Sequence, residues 1–123
     1  MLVDVHSHIL PGIDDGSKNM EETIKMLRMA QKEKIEVMIA TPHYNCERRP
    51  GFNKKCYEVY EEVCHELTER NLKIQLLLGN EIFYSAGVVE ALKKGEAMTL
   101  NNTRYVLVEF QPYVELLTIK KAV

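Results

Sequence analysis

The chain has 123 residues, of which 46% are hydrophobic, so it can bury the core of one domain or of part of a larger one. Its formal net charge of −2 excludes the strongly basic surface of a typical nucleic-acid-binding domain, and we expect no nucleic-acid partner. With three cysteines in no CxxC pair, no signal-peptide pattern and no apolar run of about 20 residues, we expect a cytoplasmic protein that is not membrane-inserted.

Short apolar runs alternate with longer amphipathic segments, an order typical of β/α units. Residues 1–5 predict a first strand, and the spacing of Asn19 and Glu22 predicts a capping box at the start of a helix. The buried face of that helix is predicted from apolar residues at helical spacing, at Met20, Ile24, Leu27 and Ala30. The apolar run at 35–41 predicts a second strand that is buried on both faces and ends before Pro42.

The second half of the chain continues the alternation. Asn53 is expected to cap a second helix, whose buried face is predicted from Tyr57, Tyr60, Cys64 and Leu67. The remaining elements are a strand at 74–78, a helix at 86–94 ended by Gly95, a strand at 105–110 and the beginning of a helix at 116–123. Four strands with intervening helices predict one parallel sheet with right-handed crossovers, about half of a (β/α) barrel.

The carboxyl ends of all four predicted strands carry candidate metal ligands. In parallel β/α folds, ligands bind at the carboxyl ends of the strands. The candidates, in chain order, are His6 and His8, the loop pair Asp14 and Asp15, His43, Glu81 and Glu109. His6 and His8 are two residues apart in extended chain, so they face the same side and can share a cation. Imidazole and carboxylate ligands suit Zn, Mn or Fe.

Each candidate also has an ordinary structural interpretation, as a turn histidine, a solvated loop aspartate or a surface glutamate. Their placement at four successive strand ends favours a joint metal site over these separate interpretations. His65 lies in the middle of a predicted helix and is interpreted as a surface or packing histidine. Cys46 is not followed by the small residues of a phosphate-binding loop, which disfavours a cysteine nucleophile.

Arg48 and Arg49 lie in the loop after His43. A guanidinium near a metal cluster can hold phosphate oxygens through its planar fork, so Arg48 is a candidate catalytic residue. Two solvated arginines in a loop are an equally good interpretation.

The stretch from Asp4 to Gly16, which begins Asp-Val-His-Ser-His, resembles the opening motif of PHP (polymerase and histidinol phosphatase) domains. More narrowly, it resembles that of the bacterial capsular and exopolysaccharide protein-tyrosine phosphatases. Three further segments resemble the next motifs of that group, in the same order: Ala40-Thr41-Pro42-His43, Gly79-Asn80-Glu81-Ile82 and Leu107-Val108-Glu109-Phe110. Together these motifs cover essentially the whole chain.

This resemblance implies an α/β fold, the N-terminal half of a distorted (β/α)7 barrel, that binds up to three metal ions. Manganese is the usual metal of the group, with Fe and Zn left open. Carried over by position, His6, His8 and Glu81 would bind one metal, Glu81 and Glu109 a second, and Asp15 and His43 a third. Asp14 would lie beside the ligands rather than among them.

The resemblance further implies hydrolysis of phosphotyrosine by a metal-activated water, with Glu81 and Glu109 as catalytic metal ligands. The implied role is regulation of capsular or exopolysaccharide biosynthesis. The implied substrate is a phosphotyrosine protein, such as the tyrosine-rich tail of a polysaccharide-regulating tyrosine kinase.

Two later motifs of the family, an Ala-His-x-Glu-Arg-like and an Asp-x-His-like segment, do not occur in these residues. We therefore expect residues 1–123 to be a partial PHP domain that is weakly active or inactive alone. Unpaired sheet edges and uncovered apolar faces predict that it self-associates. Two alternatives stay open: a histidinol-phosphate-type or other small-molecule PHP phosphatase, and a catalytically inactive metal-binding fragment that acts through protein contacts.

Overall fold

The computed structural model describes residues 1–47 and 50–123. Within them the strands are β1 (Leu2–Ser7), β2 (Ile35–Ala40), β3 (His43–Tyr44), β4 (Gln75–Leu78), β5 (Glu81–Phe83) and β6 (Leu107–Glu109). The helices are α1 (Met20–Lys32), α2 (Phe52–Glu69), α3 (Val88–Lys93) and α4 (Leu116–Ala122), with a short 3-10 turn at Leu100–Asn102. In these two described ranges, no helix combines the length and apolarity that crossing a membrane requires.

The strands form two parallel sheets, in the orders β1–β2–β4 and β3–β5–β6. Parallel pairing is as predicted, but the prediction of one four-stranded sheet is wrong, because two short strands that were not predicted, β3 and β5, follow β2 and β4 and form a second sheet with β6. The breaks before β3 and before β5 lie at Thr41-Pro42 and at Gly79-Asn80, side by side. Across them, the Gly79 N–H donates to the Ala40 carbonyl at 2.9 Å and the Glu81 N–H to the Pro42 carbonyl at 3.1 Å. Proline has no N–H to donate, so a regular ladder cannot continue through this point.

The start of α1 agrees with the sequence prediction. Asn19 Oδ1 accepts the Glu22 N–H at 2.9 Å, which satisfies one of the unpaired donors of the first turn. The Glu22 carboxylate reaches the Lys18 N–H, also at 2.9 Å, one residue beyond the usual capping-box donor. The helix buries Ile24, Leu27 and Ala30 as expected.

The start of α2 differs from the prediction. Gly51, with φ 87°, precedes the helix, and Asn53 lies inside it. The Asn53 side-chain amide donates instead to Asn80 Oδ1 at 2.9 Å and to the Glu96 carbonyl at 2.6 Å, so a tertiary contact takes the group expected to cap the helix. The predicted buried face is also shifted, because Tyr57 is 52% exposed. The fully buried positions of α2 are Cys56, Val63 and Leu67.

The later elements agree with the prediction in type and order. Gly95, with φ +74°, follows α3 in the left-handed conformation that ends many helices. The strand predicted at 105–110 is limited to Leu107–Glu109, and α4 lies where the last helix was expected.

Two apolar clusters hold the layers together. The larger one joins α1 and α2 to the first sheet through Leu27, Met38, Val63, Leu67 and Leu76 among others. Each fully buried side chain of this kind contributes about 1.5–3 kcal/mol. The smaller one surrounds Ile82 and includes residues of α3 and the loop after it. The candidate ligands lie around the junction of the two sheets, where β2 leads into β3 and β4 leads into β5.

Candidate metal centre

Glu81 lies at the centre of the candidate site. It begins β5, and its side chain is only 9% exposed. Its Oε2 atom lies 3.1 Å from His6 Nε2, 2.9 Å from His8 Nε2 and 3.3 Å from His43 Nδ1. None of these contacts is aligned as a hydrogen bond, and this buried oxygen has no hydrogen-bond partner among the described residues. Nitrogen and oxygen atoms that crowd together without hydrogen bonding are arranged as ligands around a cation would be.

An irregularity in β1 presents its two histidines. Between Asp4 and Ser7 the pairing with β2 shifts by one residue, since these residues lie opposite Met38 and Ala40. The Asp4 carboxylate accepts the His6 N–H at 3.1 Å within this bulge. Bulges beside functional sites re-aim side chains, and here His6 and His8 point to the same carboxylate.

Ser7, between the two histidines, faces the other way and fixes the strand end. Its hydroxyl donates to the Ile39 carbonyl at 2.8 Å, and Thr41 Oγ1 accepts its N–H at 3.0 Å. Thr41 is fully buried, so these bonds attach the carboxyl end of β1 to that of β2.

His43 connects the remaining carboxylates. It begins β3 directly opposite Glu81 in the sheet. Its Nδ1 lies 3.4 Å from Glu109 Oε2, and its Nε2 lies 3.2 Å from Asp15 Oδ1. The His43 and His8 rings are stacked, with centroids 4.4 Å apart. Asp15 is 80% exposed, whereas Glu81 is buried, so the site runs from the interior to solvent.

Asp14 is more deeply placed than its neighbour Asp15, with a side chain only 4% exposed. Its Oδ2 lies 3.0 Å from His8 Nδ1 and accepts the His43 backbone N–H at 3.1 Å, and its Oδ1 accepts the Gly16 N–H at 3.0 Å. Burial raises the pKa of this carboxyl, but the hydrogen bonds from the His43 and Gly16 backbone and from His8 outweigh it, so the pKa is lowered overall.

The structure gathers the sequence-predicted ligands into three overlapping groups, each compact enough to hold one ion. These are His8, Asp14, Asp15 and His43; His6, His8 and Glu81; and His43, Glu81 and Glu109. His8, His43 and Glu81 each belong to two groups, so the groups form one continuous cluster. All six predicted metal ligands are therefore brought together, with Asp14 added.

Other singled-out residues lie elsewhere. His65 is on the surface with a 72% exposed side chain, 3.9 Å from Glu69 one turn later, in line with its interpretation as a surface histidine. Arg48, the candidate for phosphate contact, lies with Arg49 outside the described residues. Sequence reasoning missed Asn80, which is fully buried immediately before Glu81 and bonds Asn53 and the Met98 N–H. The sequence signal that could have identified Asn80 is its position between an apolar strand and a candidate ligand.

The chain is also similar to known proteins. The model of the family described as capsular polysaccharide synthesis, CpsB/CapC, matches residues 2–123. The chain belongs to this family. The resemblance seen in its motifs is thereby confirmed.

Curated relatives that the chain matches include tyrosine-protein phosphatases. The tyrosine-protein phosphatase CpsB of Streptococcus agalactiae is 32% identical over 113 residues, which cover 89% of this chain and 45% of that protein. The tyrosine-protein phosphatase YwqE of Bacillus subtilis is 33% identical over 109 residues, covering 89% and 43%. The chain thus spans about half the length of the curated relatives that it matches.

The fold is also shared with a solved family structure. A chain from the crystal structures of Bacillus subtilis YwqE and Streptococcus pneumoniae CpsB, described as unique metal-dependent tyrosine phosphatases, superposes with a TM-score of 0.88 at 30% identity. The match covers 98% of this chain and 49% of that one. The α/β fold with parallel strands is that of this family.

Proposed function

We propose that this chain carries the metal-ligand cluster of a metal-dependent protein-tyrosine phosphatase. The observation that carries the proposal is the buried Oε2 of Glu81, which lies within 3.3 Å of three imidazole nitrogens and has no hydrogen-bond partner in the described part of the chain. A buried charge in such a position is costly unless a cation compensates it. Membership of the CpsB/CapC family supports the same conclusion.

The proposed ligand sets follow the three groups. His6, His8 and Glu81 would hold one ion, Glu81 and Glu109 would help to hold a second, and Asp15 and His43 would help to hold a third. Glu81 belongs to the first two sets. We propose Mn²⁺ as the metal, because mixed imidazole and carboxylate donors accept it; Fe and Zn accept the same donors, and availability decides among them.

The chemistry proposed is hydrolysis of a phosphomonoester by water. Divalent cations bound at such a cluster would supply a nucleophile from water at neutral pH and would stabilise the charge on the attacking and leaving oxygens. The residues of the chain hold the cluster from its buried side, through Glu81 and Asp14. The more exposed His6, Glu109 and Asp15, with side chains 47%, 39% and 80% exposed, leave the opposite side open to a phosphorylated side chain.

The substrate proposed is a phosphotyrosine protein, as the names of the relatives suggest. The tail of a tyrosine kinase that regulates polysaccharide synthesis, in the cytoplasm, is the substrate we favour, and regulation of capsular or exopolysaccharide synthesis is the corresponding role. We also propose that the two sheets are successive parts of a (β/α)7 barrel wall. In both sheets the strands lie side by side in chain order, as β1–β2–β4 and as β3–β5–β6, and β3 and β5 directly continue β2 and β4.

The test is phosphate release from a phosphotyrosine peptide by the purified chain, with and without Mn²⁺. We expect release that requires Mn²⁺, that Glu81→Gln removes and that Glu69→Gln leaves unchanged. Glu69 is a matched control because it is an exposed carboxylate beside a histidine, His65. Tight Mn²⁺ binding without release from any phosphomonoester would contradict catalysis by these residues alone and favour a binding role for them. Hydrolysis of histidinol phosphate in preference to the peptide would contradict the substrate class.

A further inference from the structure

The side-chain amides of Asn53 and Asn80 form a reciprocal pair, which joins the start of α2 to the break between β4 and β5. Asn53 Nδ2 donates to Asn80 Oδ1 at 2.9 Å, and Asn80 Nδ2 donates to Asn53 Oδ1 at 3.0 Å. Asn80 Oδ1 also accepts the Met98 N–H at 2.8 Å, and Asn80 Nδ2 also donates to the Pro42 carbonyl at 3.4 Å. An asparagine side chain offers two N–H donors and two acceptor sites, so every hydrogen-bonding site of Asn80 is used.

These contacts admit the Asn80 amide in one orientation only. With its oxygen and nitrogen exchanged, the NH2 group would face the Met98 N–H and the oxygen would face the Pro42 carbonyl, so both contacts would become repulsive. Asn80 is fully buried, where water cannot replace a lost partner. Asn53 is held as well, because its Nδ2 also donates to the Glu96 carbonyl at 2.6 Å. The pair is thus a rigid connection between α2, the loop after α3 and the strand break.

The pair reaches the backbone of Glu81 through the Pro42 carbonyl. This one oxygen accepts both the Asn80 side-chain N–H at 3.4 Å and the Glu81 backbone N–H at 3.1 Å. The break is also enclosed from the side of Leu100, because a Cβ on Gly79 would lie 2.9 Å from Leu100 Cδ2 and 3.0 Å from its Cα. The backbone that enters β5 therefore has little room to move.

The Glu81 carboxylate depends on this backbone for its position. Its Oε2 lies within 3.3 Å of three imidazole nitrogens, and no hydrogen-bond donor of the described residues holds this buried oxygen. What keeps it at the centre of the cluster is the point at which the strand places its Cα. A ligand that is in place before a cation arrives loses less conformational freedom when the cation binds, so a fixed backbone strengthens binding.

We propose that Asn53 and Asn80 are positioning residues, which hold the backbone of Glu81 so that its carboxylate stays at the centre of the cluster. The proposal rests on the proposed metal site. Among the described hydrogen bonds Asn53 reaches this backbone through Asn80, so an effect of Asn53 on metal affinity has to pass through the strand break.

The first measurement is native-state hydrogen exchange of the wild-type chain without metal, read by NMR. We expect the Glu81 N–H to exchange as slowly as the N–H groups inside β2, because a locked break opens only when the whole chain unfolds. Faster exchange of the Glu81 N–H through local opening would overturn the proposal. This result requires neither metal nor activity, and it does not depend on whether a variant folds.

The second measurement repeats the exchange experiment on Asn53→Ala and on the matched control Tyr60→Phe. Both substitutions remove hydrogen bonding by an α2 side chain, but Tyr60 donates to the Leu76 carbonyl, which lies inside β4 and ahead of the break. We expect Asn53→Ala to accelerate exchange of the Glu81 N–H more than exchange within β2, and Tyr60→Phe to accelerate both by the same factor. Equal acceleration in Asn53→Ala would mean that the pair adds only overall stability, and would contradict the positioning role.

The third measurement is Mn²⁺ titration by calorimetry, under conditions in which the wild type and both variants are folded. We expect Asn53→Ala to weaken Mn²⁺ binding about 10-fold, the lower end of the range for residues that support a metal ligand, and Tyr60→Phe to keep the wild-type affinity. Loss of stability alone does not change the affinity of a folded chain, so wild-type affinity in Asn53→Ala would contradict the proposal. A wild-type chain that binds no Mn²⁺ would contradict the proposed function instead, and hydrogen exchange would still decide whether the pair holds Glu81.

Discussion

His8 Nε2 and Glu81 Oε2 lie 2.9 Å apart, although one residue follows β1 and the other begins β5. The two strands are not paired with each other, since β1 belongs to the first sheet and β5 to the second. Their contact is possible because the interrupted strands carry the backbone from one sheet into the next at this point. The shortest of the contacts that Glu81 Oε2 makes with the three histidines is thus with the histidine that follows the first strand.

We predict that Glu81→Gln reduces Mn²⁺ affinity by more than about 100-fold, beyond the range seen for residues that only support a ligand. The neutral amide is a poor cation ligand, and it removes the one oxygen that His6, His8 and His43 all approach. Calorimetric titration checks this, with Glu69→Gln as the exposed control. Near-wild-type affinity in Glu81→Gln would show that the cluster does not bind metal through this residue.

We predict that Gly16→Ala destabilises the chain by about 1–3 kcal/mol and weakens Mn²⁺ binding in parallel, because the added methyl group overlaps His8. Urea unfolding measures the first effect and calorimetry the second. Gly87→Ala is the matched control, since its Cβ would meet Cys46 Sγ at an acceptable 3.4 Å. Equal effects of the two substitutions would contradict the close approach of the loop to His8.

We predict that Asn80→Ala lowers the free energy of unfolding by about 2–4 kcal/mol, because it leaves buried partners unsatisfied. Asn80 is fully buried, and its side chain bonds Asn53, the Pro42 carbonyl and the Met98 N–H. The exposed Gln111→Ala is the control and should change stability by less than about 0.5 kcal/mol. Denaturant unfolding checks both; a neutral Asn80→Ala would mean that the network does not join the strand break to α2.

We predict a pH-dependent contribution to stability from Tyr60. Burial, followed by the neighbouring Cys64, raises its pKa from 10.0 to about 12, and its hydroxyl donates to the Leu76 carbonyl at 3.0 Å. A raised folded-state pKa gives stability that is fully present below pH 10 and is lost as the pH rises toward about 12. Tyr60→Phe should therefore be less stable than the wild type at neutral pH, and the difference should shrink over that range. A constant difference in unfolding experiments would contradict the shift.

We predict that the chain self-associates in solution through the face formed by β1 and α1. Leu2, Val3, Val5 and Met29 are 53%, 43%, 48% and 59% exposed, and β1 pairs with only one neighbour among the described strands. Such a free strand edge with apolar side chains favours association. Sedimentation should show dimers or larger species that Leu2→Lys with Met29→Lys reduces. A monodisperse wild-type monomer would contradict the prediction.

Local patterns determined much of the fold. The Asn19 cap, the buried face of α1, the glycine after α3 and the order of strands and helices follow from residues that are near in sequence. The residue types and their placement after apolar runs also indicated a metal cluster. The strands β3 and β5 were not foreseen, because they have two and three residues, too few to show a periodicity.

The sequence by itself determined which side chains were available for the site: two histidines at the end of one strand, a third at the end of the next, and a carboxylate at the end of each of the last two. Only the tertiary structure decided how they combine. The same applies to Asn53, which bonds Asn80 instead of capping α2. It also applies to Asp14 and Asp15, which carry the same functional group but differ in exposure, because Asp14 is buried and Asp15 is exposed. The reason is physical. The hydrogen-bond partners of a side chain and its burial depend on groups that are far away in the sequence, and those groups come close only once the strands have paired in one register.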